Sequence, residues 1–282
     1  GVGLVAMLGY YTAVSIPELR ARTAAQKWYP SNFAGWDELA DAVKLERAEM
    51  PDGTRIVAGS FKLGAELGFA LGEPRIAVLD HSLNRKHGRA PQLRLWGLWT
   101  RGAEDWGDDP VLLVTSPSDV PYKDLLARYH DLCAMVGPLP AAREVNVDHG
   151  RQRFLLFRME PPHAVGAECT TPGMAWIDAP VSGAAVNRRF DVRGWAFKDG
   201  TGLERVEVTL DGRVVATARY GLNSPGTKAF WGHSTDPNHP RVGFEASVDA
   251  GGLASGVHWL GLRLHGADGS VEAWPEQPVN LR

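Results

Sequence analysis

Cysteine is scarce in this sequence, which has two such residues, Cys133 and Cys169, among 282. A pair of cysteines in different predicted elements is too few to indicate a disulfide scaffold or a zinc site, so it leaves the redox compartment open. An excess of basic charge is also missing, because 30 Lys and Arg residues are balanced by 33 Asp and Glu residues. Proteins that bind nucleic acid usually carry a basic face, so we expect no nucleic acid partner.

The turn from Gly59 to Gly64, with the sequence GSFKLG, lacks the motifs of nucleotide binding. It lies between a predicted strand and a predicted helix, where a parallel α/β unit normally presents its ligand. It has neither the glycine spacing of a dinucleotide fingerprint nor the Lys-Ser or Lys-Thr pair of a phosphate loop. We therefore expect no cofactor.

Charged residues are absent from the first fourteen positions. A membrane-spanning helix needs about 20 apolar residues, so this run is too short to cross a bilayer as it stands. One interpretation makes it the outer end of a membrane helix that begins upstream, with Tyr10 and Tyr11 at the membrane interface. The alternative is a buried N-terminal helix. A polar connecting helix is predicted to follow, within residues 1–30.

Residues 31–162 contain continuous apolar runs separated by helical patterns, the runs lying at 55–58, 75–79 and 111–114. Strands that are apolar along their whole length are buried on both faces. This predicts a three-layer α/β domain with a mainly parallel sheet and helices on either side. The segments 144–147 and 153–158 flank Asp148-His-Gly150, which predicts a hairpin at the sheet edge.

Residues 163–174 are rich in Pro, Gly and Thr, which is typical of a linker. Residues 175–282 contain seven short alternating runs with Asp-Gly turns at 199, 211 and 268. This pattern predicts an immunoglobulin-like β-sandwich, all-β in class. The Cys-Trp-Cys spacing of antibody domains is missing, so the likeness is one of architecture.

Three segments of the first half resemble a known protein family: YPSNFAGWDELA at 29–40, RIVAGSFKLGAELGF at 55–69 and RAPQLRLW at 89–96. Together with the apolar start they resemble the extracytoplasmic C-terminal region of bacterial glycosyltransferase family 39 membrane proteins. These are relatives of the protein mannosyltransferases and of the aminoarabinose transferase that modifies lipid A. The resemblance covers residues 1–160, roughly, and residues 175–282 resemble immunoglobulin-like modules of bacterial surface enzymes.

The resemblance implies an accessory function. Such proteins take sugar from a polyprenyl-phosphate carrier, and their catalytic carboxylate lies in an early outer loop, so no catalytic residue is expected in this chain. The implied partners are the membrane portion of the same protein, the lipid-linked sugar donor, and a glycan or lipid acceptor. The implied location is the cell inner membrane, with the soluble domains on its periplasmic or extracellular face.

Lys62 and Glu66 are the first candidate binding residues, since they are four apart on one helix near the ligand end of the sheet. They would contact a sugar or lipid phosphate, or form a solvated ion pair with each other. Arg85, Lys86 and Arg89 form a basic cluster close to Trp96. These would meet anionic lipid headgroups at a membrane surface, or belong to an exposed loop whose tryptophans pack inward.

Four tryptophans of the sandwich are candidates for stacking on glycan rings: Trp195, Trp231, Trp259 and Trp274. The alternative is that they are core residues, which is the more usual role of aromatic side chains at alternating strand positions.

His233, Asp236 and His239 share one loop, but their spacing fits no metal motif, so a polar turn-rich loop is favoured and no metal is expected.

Two rival functions remain open from the sequence. A carbohydrate-binding or cell-envelope interaction module would use the sandwich tryptophans. A soluble α/β enzyme would act at the turn 59–64, and it would have to turn over substrate without any membrane portion.

Overall fold

The structure is a computed structural model that describes residues 1–16, 19–20 and 34–282. In these residues the helices are α1 (Val2–Ser15), α2 (Trp36–Ala48), α3 (Phe61–Leu71), α4 (Ser82–Lys86), α5 (Ala90–Leu95), α6 (Tyr122–Val136) and α7 (Pro225–Phe230). The strands of the first half are β1 (Arg55–Ala58), β2 (Ala77–Val78), β3 (Val111–Thr115), β4 (Arg143–Val147) and β5 (Gln152–Met159). The strands of the second half are β6 (Met174–Ala179), β7 (Ala185–Val186), β8 (Arg189–Phe197), β9 (Leu203–Leu210), β10 (Arg213–Thr217), β11 (Arg219–Leu222), β12 (Gly243–Asp249), β13 (Gly256–Gly266) and β14 (Val271–Leu281).

The first-half strands form one mixed sheet in the order β2-β1-β3-β5-β4. β1 pairs in parallel with β2 and β3, whereas β5 runs antiparallel to β3 and to β4. The predicted hairpin at the sheet edge is confirmed as β4 and β5. Its turn places Asp148 and His149 at positive φ before Gly150, the left-handed backbone that tight hairpin turns use.

Both faces of this sheet are covered by helices, because side chains alternate along each strand. Ile56 and Val114 share a buried cluster with residues of α2 and α3. Val57 and Leu113 point the other way, into a cluster that includes Leu126 and other residues of α6. The predicted apolar runs are therefore buried on both faces, as parallel strands under helices require.

The second-half strands form two further sheets, in the orders β10-β9-β13-β14-β7 and β11-β12-β8-β6. Their facing side chains make one core, with Val206 and Leu262 from one sheet and Val192 and Phe244 from the other. This packing is a β-sandwich. Its first strand, β6, was not predicted from the sequence; it begins at Met174, at the end of the segment 163–174 that the composition marks as a linker.

The segment 163–173 has no helix or strand, but it is fixed at both ends. Cys169 forms a disulfide with Cys133 of α6, and the backbone N–H of Leu139 donates to Thr170 O at 3.0 Å. The core under α6 continues across the junction to Phe197 and Trp231 of the sandwich. The two domains therefore share a hydrophobic core.

Helix α1 has no buried residue, which overturns the alternative of a buried N-terminal helix. Its apolar side chains face outward all round, with Val2 88% and Val5 71% exposed. At 14 residues it spans about 21 Å, and within the described ranges no helix is long and apolar enough to cross a membrane. The predicted connecting helix lies mostly outside the described residues; Arg20, which is described, pairs with Asp148 of the hairpin turn at 2.6 Å.

Candidate functional site

The turn after β1, which the sequence marks as the ligand end of the sheet, is filled by the protein's own groups. Ser60 caps α3, its Oγ accepting from Leu63 N at 3.4 Å. The Phe61 N–H donates to Asn84 Oδ1 at 2.8 Å, and Arg128 donates to the carbonyl of Gly59 at 3.2 Å. Two backbone N–H groups that could bind a phosphate at this turn, those of Phe61 and Leu63, are thus already bonded within the protein.

Lys62 closes the crevice between this turn and the segment that follows β3. Its Nζ lies 2.5 Å from Asp119 Oδ1 and 5.6 Å from the ring centre of Trp36. Lys62 does not form an ion pair with Glu66, so that interpretation of the sequence is wrong. The space enclosed between the turn and the β3 end is about 10 Å³, too small for a substrate.

Burial lowers the pKa of two side chains beside this crevice, those of His81 and Arg128. Desolvation, reinforced by the charge of Arg128, lowers the pKa of His81 to about 4. The imidazole is therefore neutral at pH 7, and its Nδ1 accepts a hydrogen bond from Leu83 N at 3.0 Å, capping α4. Burial also lowers the pKa of Arg128 to about 10, which leaves its guanidinium charged. Arg128 donates to Asp80 O at 3.1 Å as well, so it joins the loops after β1 and β2.

The glycines of this region serve close packing. A Cβ on Gly64 would lie 2.8 Å from Val78 Cγ2, so the absent side chain lets α3 approach β2. Gly68 is similarly close to the carbonyl of Glu73, at 3.1 Å. Gly64 and Gly68 therefore let α3 pack closely against its neighbours at the sheet edge, and a groove opens beside them.

This groove, between α3 and α5 at the β2 edge of the sheet, has a volume of about 800 Å³. Its floor is apolar and includes Ile76, Val78 and Leu93. Phe69 and Trp96 stand at its sides, 90% and 61% exposed. Leu95, next to Trp96, is 83% exposed. Apolar side chains of this size are seldom left in water together without a partner.

The rim of the groove is positively charged. Arg75 and Arg89 line it directly. The segment 75–95 carries five basic residues and one acidic residue, in a protein whose net charge is −3. An apolar groove with a basic rim suits an amphiphile that has a hydrocarbon body and an anionic head.

The structure brings together some of the predicted headgroup residues. Arg89 and Trp96 both line the groove, where Arg89 also bonds to Gln92 Oε1 at 3.0 Å. Lys86 is exposed on α4, close by in sequence, and Arg85 is paired with Asp80. Lys62 and Glu66 lie on other sides of α3 and do not line the groove. Trp96 does not pack inward, contrary to the alternative that the sequence left open.

Phe69 and Arg75 are groove residues that the sequence analysis missed. A signal was available for each: Phe69 is a large apolar residue directly after Gly68 on α3, and Arg75 opens the basic segment. The packing of α3 on β2 brings Phe69 and Arg75 to the same groove, and the spacing of residues in the sequence does not reveal this packing.

The four sandwich tryptophans do not share an exposed face. Trp231 is 1% exposed, and its ring lies 6.1 Å from that of Trp195. Trp259 stacks on His149 at 3.6 Å, and Trp274 lies 5.3 Å from the guanidinium of Arg153. All four pack at the junction of the two domains, because that junction is where the large aromatic surface is buried. The exposed tryptophan of this half is Trp176, on the strand that the sequence analysis missed.

The loop 232–240 is held by its own hydrogen bonds. Asp236 Oδ2 accepts from Lys198 N at 2.5 Å and Oδ1 accepts from Asn238 N at 2.6 Å. Burial raises the pKa of Asp236 to about 6. His239 Nε2 lies 2.9 Å from Ser234 Oγ. Within the described ranges no group of three or more His, Cys, Asp or Glu side chains is arranged to hold a metal ion.

No known protein family matches this chain, and no curated protein sequence matches it. Similar solved structures include fibronectin(III)-like modules of Clostridium thermocellum CbhA, 23% identical over 38% of this chain and 94% of theirs, at a TM-score of 0.25. CopC from Methylosinus trichosporium OB3b is 14% identical over 38% of this chain and 93% of its own, at 0.23. An endo-beta-1,4-mannanase from Thermotoga petrophila is 11% identical over 78% of this chain and 43% of its own, at 0.29. These scores are too low to carry a functional argument.

Proposed function

We propose that this chain is the extracytoplasmic C-terminal part of a membrane glycosyltransferase that uses a polyprenyl-phosphate-linked sugar. In this proposal the chain is not catalytic by itself. It sits on the outer face of the inner membrane, caps the membrane portion, and holds the carrier lipid at the groove between α3 and α5.

The observation that carries the proposal is the exposure of α1. A helix that is apolar on every side belongs either in the interior of a large protein or in lipid. None of its fourteen residues is buried against the domains described here. The proposal places α1 in the membrane, as the outer part of a longer helix.

The disulfide supports an extracytoplasmic location. Disulfides form and persist in the periplasm and outside the cell and are rare in the cytosol, where thiols are kept reduced. Cys133 and Cys169 lie at the junction of the two domains, so the bond belongs to the folded architecture.

The groove supports the choice of carrier. A polyprenyl phosphate has a long branched hydrocarbon chain and an anionic head. The apolar floor at Ile76, Val78 and Leu93 suits the chain, and Arg75 and Arg89 suit the phosphate. Phe69 and Trp96 would extend the apolar surface toward the bilayer, where aromatic side chains are favoured at the interface.

The finer description of the fold is part of the same proposal. The helices on both faces of the mixed sheet support a three-layer α/β domain. The two packed sheets with seven or more short strands support an immunoglobulin-like sandwich.

Photo-crosslinking tests the proposal. The full chain is reconstituted into vesicles that contain either a photoreactive polyprenyl phosphate or a photoreactive phosphatidylglycerol at an equal fraction, and the modified residues are mapped by mass spectrometry. We expect the polyprenyl phosphate to label residues of the groove and the phosphatidylglycerol to label it much less. Equal labelling by the two lipids would refute the assignment of the carrier.

Matched variants locate the effect. Arg89→Ala is expected to reduce groove labelling, whereas Arg213→Ala, at an exposed arginine of the sandwich, should not. Trp96→Ala is compared in the same way with Phe230→Ala, at another exposed aromatic residue.

The double variant Leu4→Lys, Leu8→Lys tests α1 separately. It should release the chain from phosphatidylcholine vesicles in a flotation experiment. Retention of that variant on the vesicles would argue against α1 as the membrane contact.

A further inference from the structure

A second cavity of this protein lies in the cleft between the two domains. Its walls come from the segment 117–122 after β3, from Arg151 after the hairpin turn, from β6 at Trp176 and Asp178, and from β14 at 274–277. Its volume is about 500 Å³, within the roughly 300 to 1,000 Å³ of small-molecule sites, which often lie at domain interfaces.

The cleft is held open by bonds between its two sides. Tyr122 Oη donates to Ala175 O at 2.7 Å, which fixes the start of α6 against β6. At the other end, His149 Nδ1 lies 2.6 Å from Glu276 Oε2, and Glu276 N donates to His149 O at 2.9 Å. Both sides are thus positioned before any ligand arrives, which lowers the entropic cost of binding.

Trp176 supplies an aromatic surface inside this cleft. It is 49% exposed, while Ala175 and Ile177 on either side of it face the core, as strand alternation requires. Its ring lies 5.3 Å from that of Tyr122, which supports it from within the cleft wall. A tryptophan that stays half-exposed contributes only part of its possible hydrophobic free energy to folding. A ligand that covers the exposed half of Trp176 would gain the rest as binding free energy.

Two charged groups in the cleft have no partner. Within residues 1–16, 19–20 and 34–282, neither Arg151 nor Asp178 forms an ion pair or a side-chain hydrogen bond, whereas Arg153 is paired with Glu144 and Glu276 with His149. Arg151 and Asp178 are both accessible to solvent. The cleft walls desolvate them nonetheless, since burial lowers the pKa of Arg151 and raises the pKa of Asp178.

This combination selects a class of ligand. One free cation and one free anion leave the cleft without the positive excess that a phosphate or nucleotide needs. A purely apolar ligand would strip water from Arg151 and Asp178 without replacing their hydrogen bonds. A ligand with an apolar face and many hydroxyl groups satisfies both requirements, because the face stacks on the indole while the hydroxyls bond to the guanidinium and the carboxylate.

We propose that the interdomain cleft is a binding site for a sugar ring, stacked on Trp176 with its hydroxyl groups bonded to Arg151 and Asp178. The Gln277 amide, held by a hydrogen bond from Nε2 to Pro180 O at 2.7 Å, presents its Oε1 as a further acceptor at the same cleft. The site does not rest on the role assigned to the groove or to α1. It uses a different surface and needs no lipid.

Titration of the full chain with soluble sugars tests this site. The chain is kept in a detergent without a sugar headgroup, and methyl pyranosides of neutral, N-acetylated and uronic acid sugars, with their disaccharides, are added. Binding is followed by calorimetry and by saturation-transfer NMR, which reports the ligand protons that touch the protein. We expect saturable binding of at least one member, with strong transfer to the protons of one ring face. No saturable binding across the panel overturns the proposal.

Variants make the test specific to the cleft. Trp176→Ala should weaken binding about tenfold or more, which corresponds to roughly 1.4 kcal/mol, and Trp176→Phe should restore part of the affinity. Phe230→Ala, at an exposed aromatic residue that lines neither the groove nor the cleft, should leave sugar affinity unchanged. Equal losses in the Trp176 and Phe230 variants, or undiminished binding by Trp176→Ala, would overturn the site. Thermal unfolding of each variant confirms that the comparison is between folded proteins.

Discussion

The imidazole of His149 lies flat against the indole of Trp259, with ring centres 3.6 Å apart and planes within 4° of parallel. His149 belongs to the hairpin turn of the α/β domain and Trp259 to a strand of the sandwich. The same imidazole bonds to Glu276 at 2.6 Å. One side chain therefore joins the domains by ring stacking and by a polar contact at once.

Replacing His149 tests how strongly this contact holds the domains. His149 has a φ of 60°, so His149→Asn is the suitable change, because asparagine tolerates the left-handed backbone while removing the ring. We expect a loss of about 1 to 2 kcal/mol in the free energy of unfolding, from the ring contact and one hydrogen bond. A double-mutant cycle with Glu276→Gln, measured in urea, should show coupling between the two residues; strictly additive losses would contradict the contact.

The disulfide should contribute substantially to stability. It closes a loop of 36 residues, for which the chain-entropy relation gives about 4 kcal/mol. This effect is measured by urea unfolding of the wild type with and without reductant. The double variant Cys133→Ser, Cys169→Ser is unfolded in the same way for comparison. The reduced wild type and the double variant should agree, and thiol alkylation with mass analysis should find no free cysteine before reduction. Free thiols in protein purified under oxidising conditions would count against the bond.

His81 should make the protein sensitive to acid. Its pKa in the folded protein is about 4, below the value of about 6.5 expected in the unfolded chain. The folded state therefore favours the neutral ring. The resulting contribution to the free energy of unfolding is fully present above pH 6.5 and is lost as the pH falls toward 4. At pH 5 the loss would reach about 2 kcal/mol.

His81→Asn provides the control for this acid effect. Asparagine is a good N-cap and accepts from Leu83 N without titrating. The variant should lose less stability than the wild type between pH 7.5 and pH 5 in urea unfolding. If both lose the same amount, another group is responsible.

Lys198 and Glu272 form a buried ion pair in the sandwich, 2.6 Å apart and 2% and 4% exposed. Glu272 also accepts from Gly173 N at 2.8 Å, which holds the segment before β6. Lys198→Met would leave the carboxylate buried without its main cation, so we expect a loss of about 3 to 5 kcal/mol. Adding Glu272→Gln removes the charge but keeps an acceptor for Gly173. In thermal unfolding the double variant should be more stable than Lys198→Met alone, and an equally unstable double variant would mean that packing at Lys198 dominates.

Local elements were predictable from the sequence because their signals are local. The strand at 55–58 and the helix ending before Gly137 follow from apolar runs and from the punctuation by Pro121 and Gly137. β6 was missed because it directly follows a stretch rich in Pro, Gly and Thr, where composition indicates a linker. Its alternation around Trp176 is short and carries little signal by itself.

The sites were harder to predict because they depend on contacts between distant residues. An ion pair between Lys62 and Glu66, four positions away, was one of two alternatives, whereas Lys62 pairs with Asp119, 57 positions away. Arg89 and Trp96 were predicted as surface residues near a basic cluster, and they do line one groove. That Phe69 completes this groove follows from the packing of α3 on β2. The tryptophans at the junction show the same limit, since periodicity distinguishes inward from outward positions but not a core from an interface.

The hydrophobic core that runs on from α6 to Phe197 and Trp231 decides how this protein can be divided. Severing the chain near residue 170 would not release two intact halves, because each cut surface would present large aromatic and aliphatic groups to water. The sandwich expressed alone would then self-associate or misfold, and any ligand it failed to bind would say nothing about the native molecule. The α/β domain and the sandwich therefore have to be expressed and studied together.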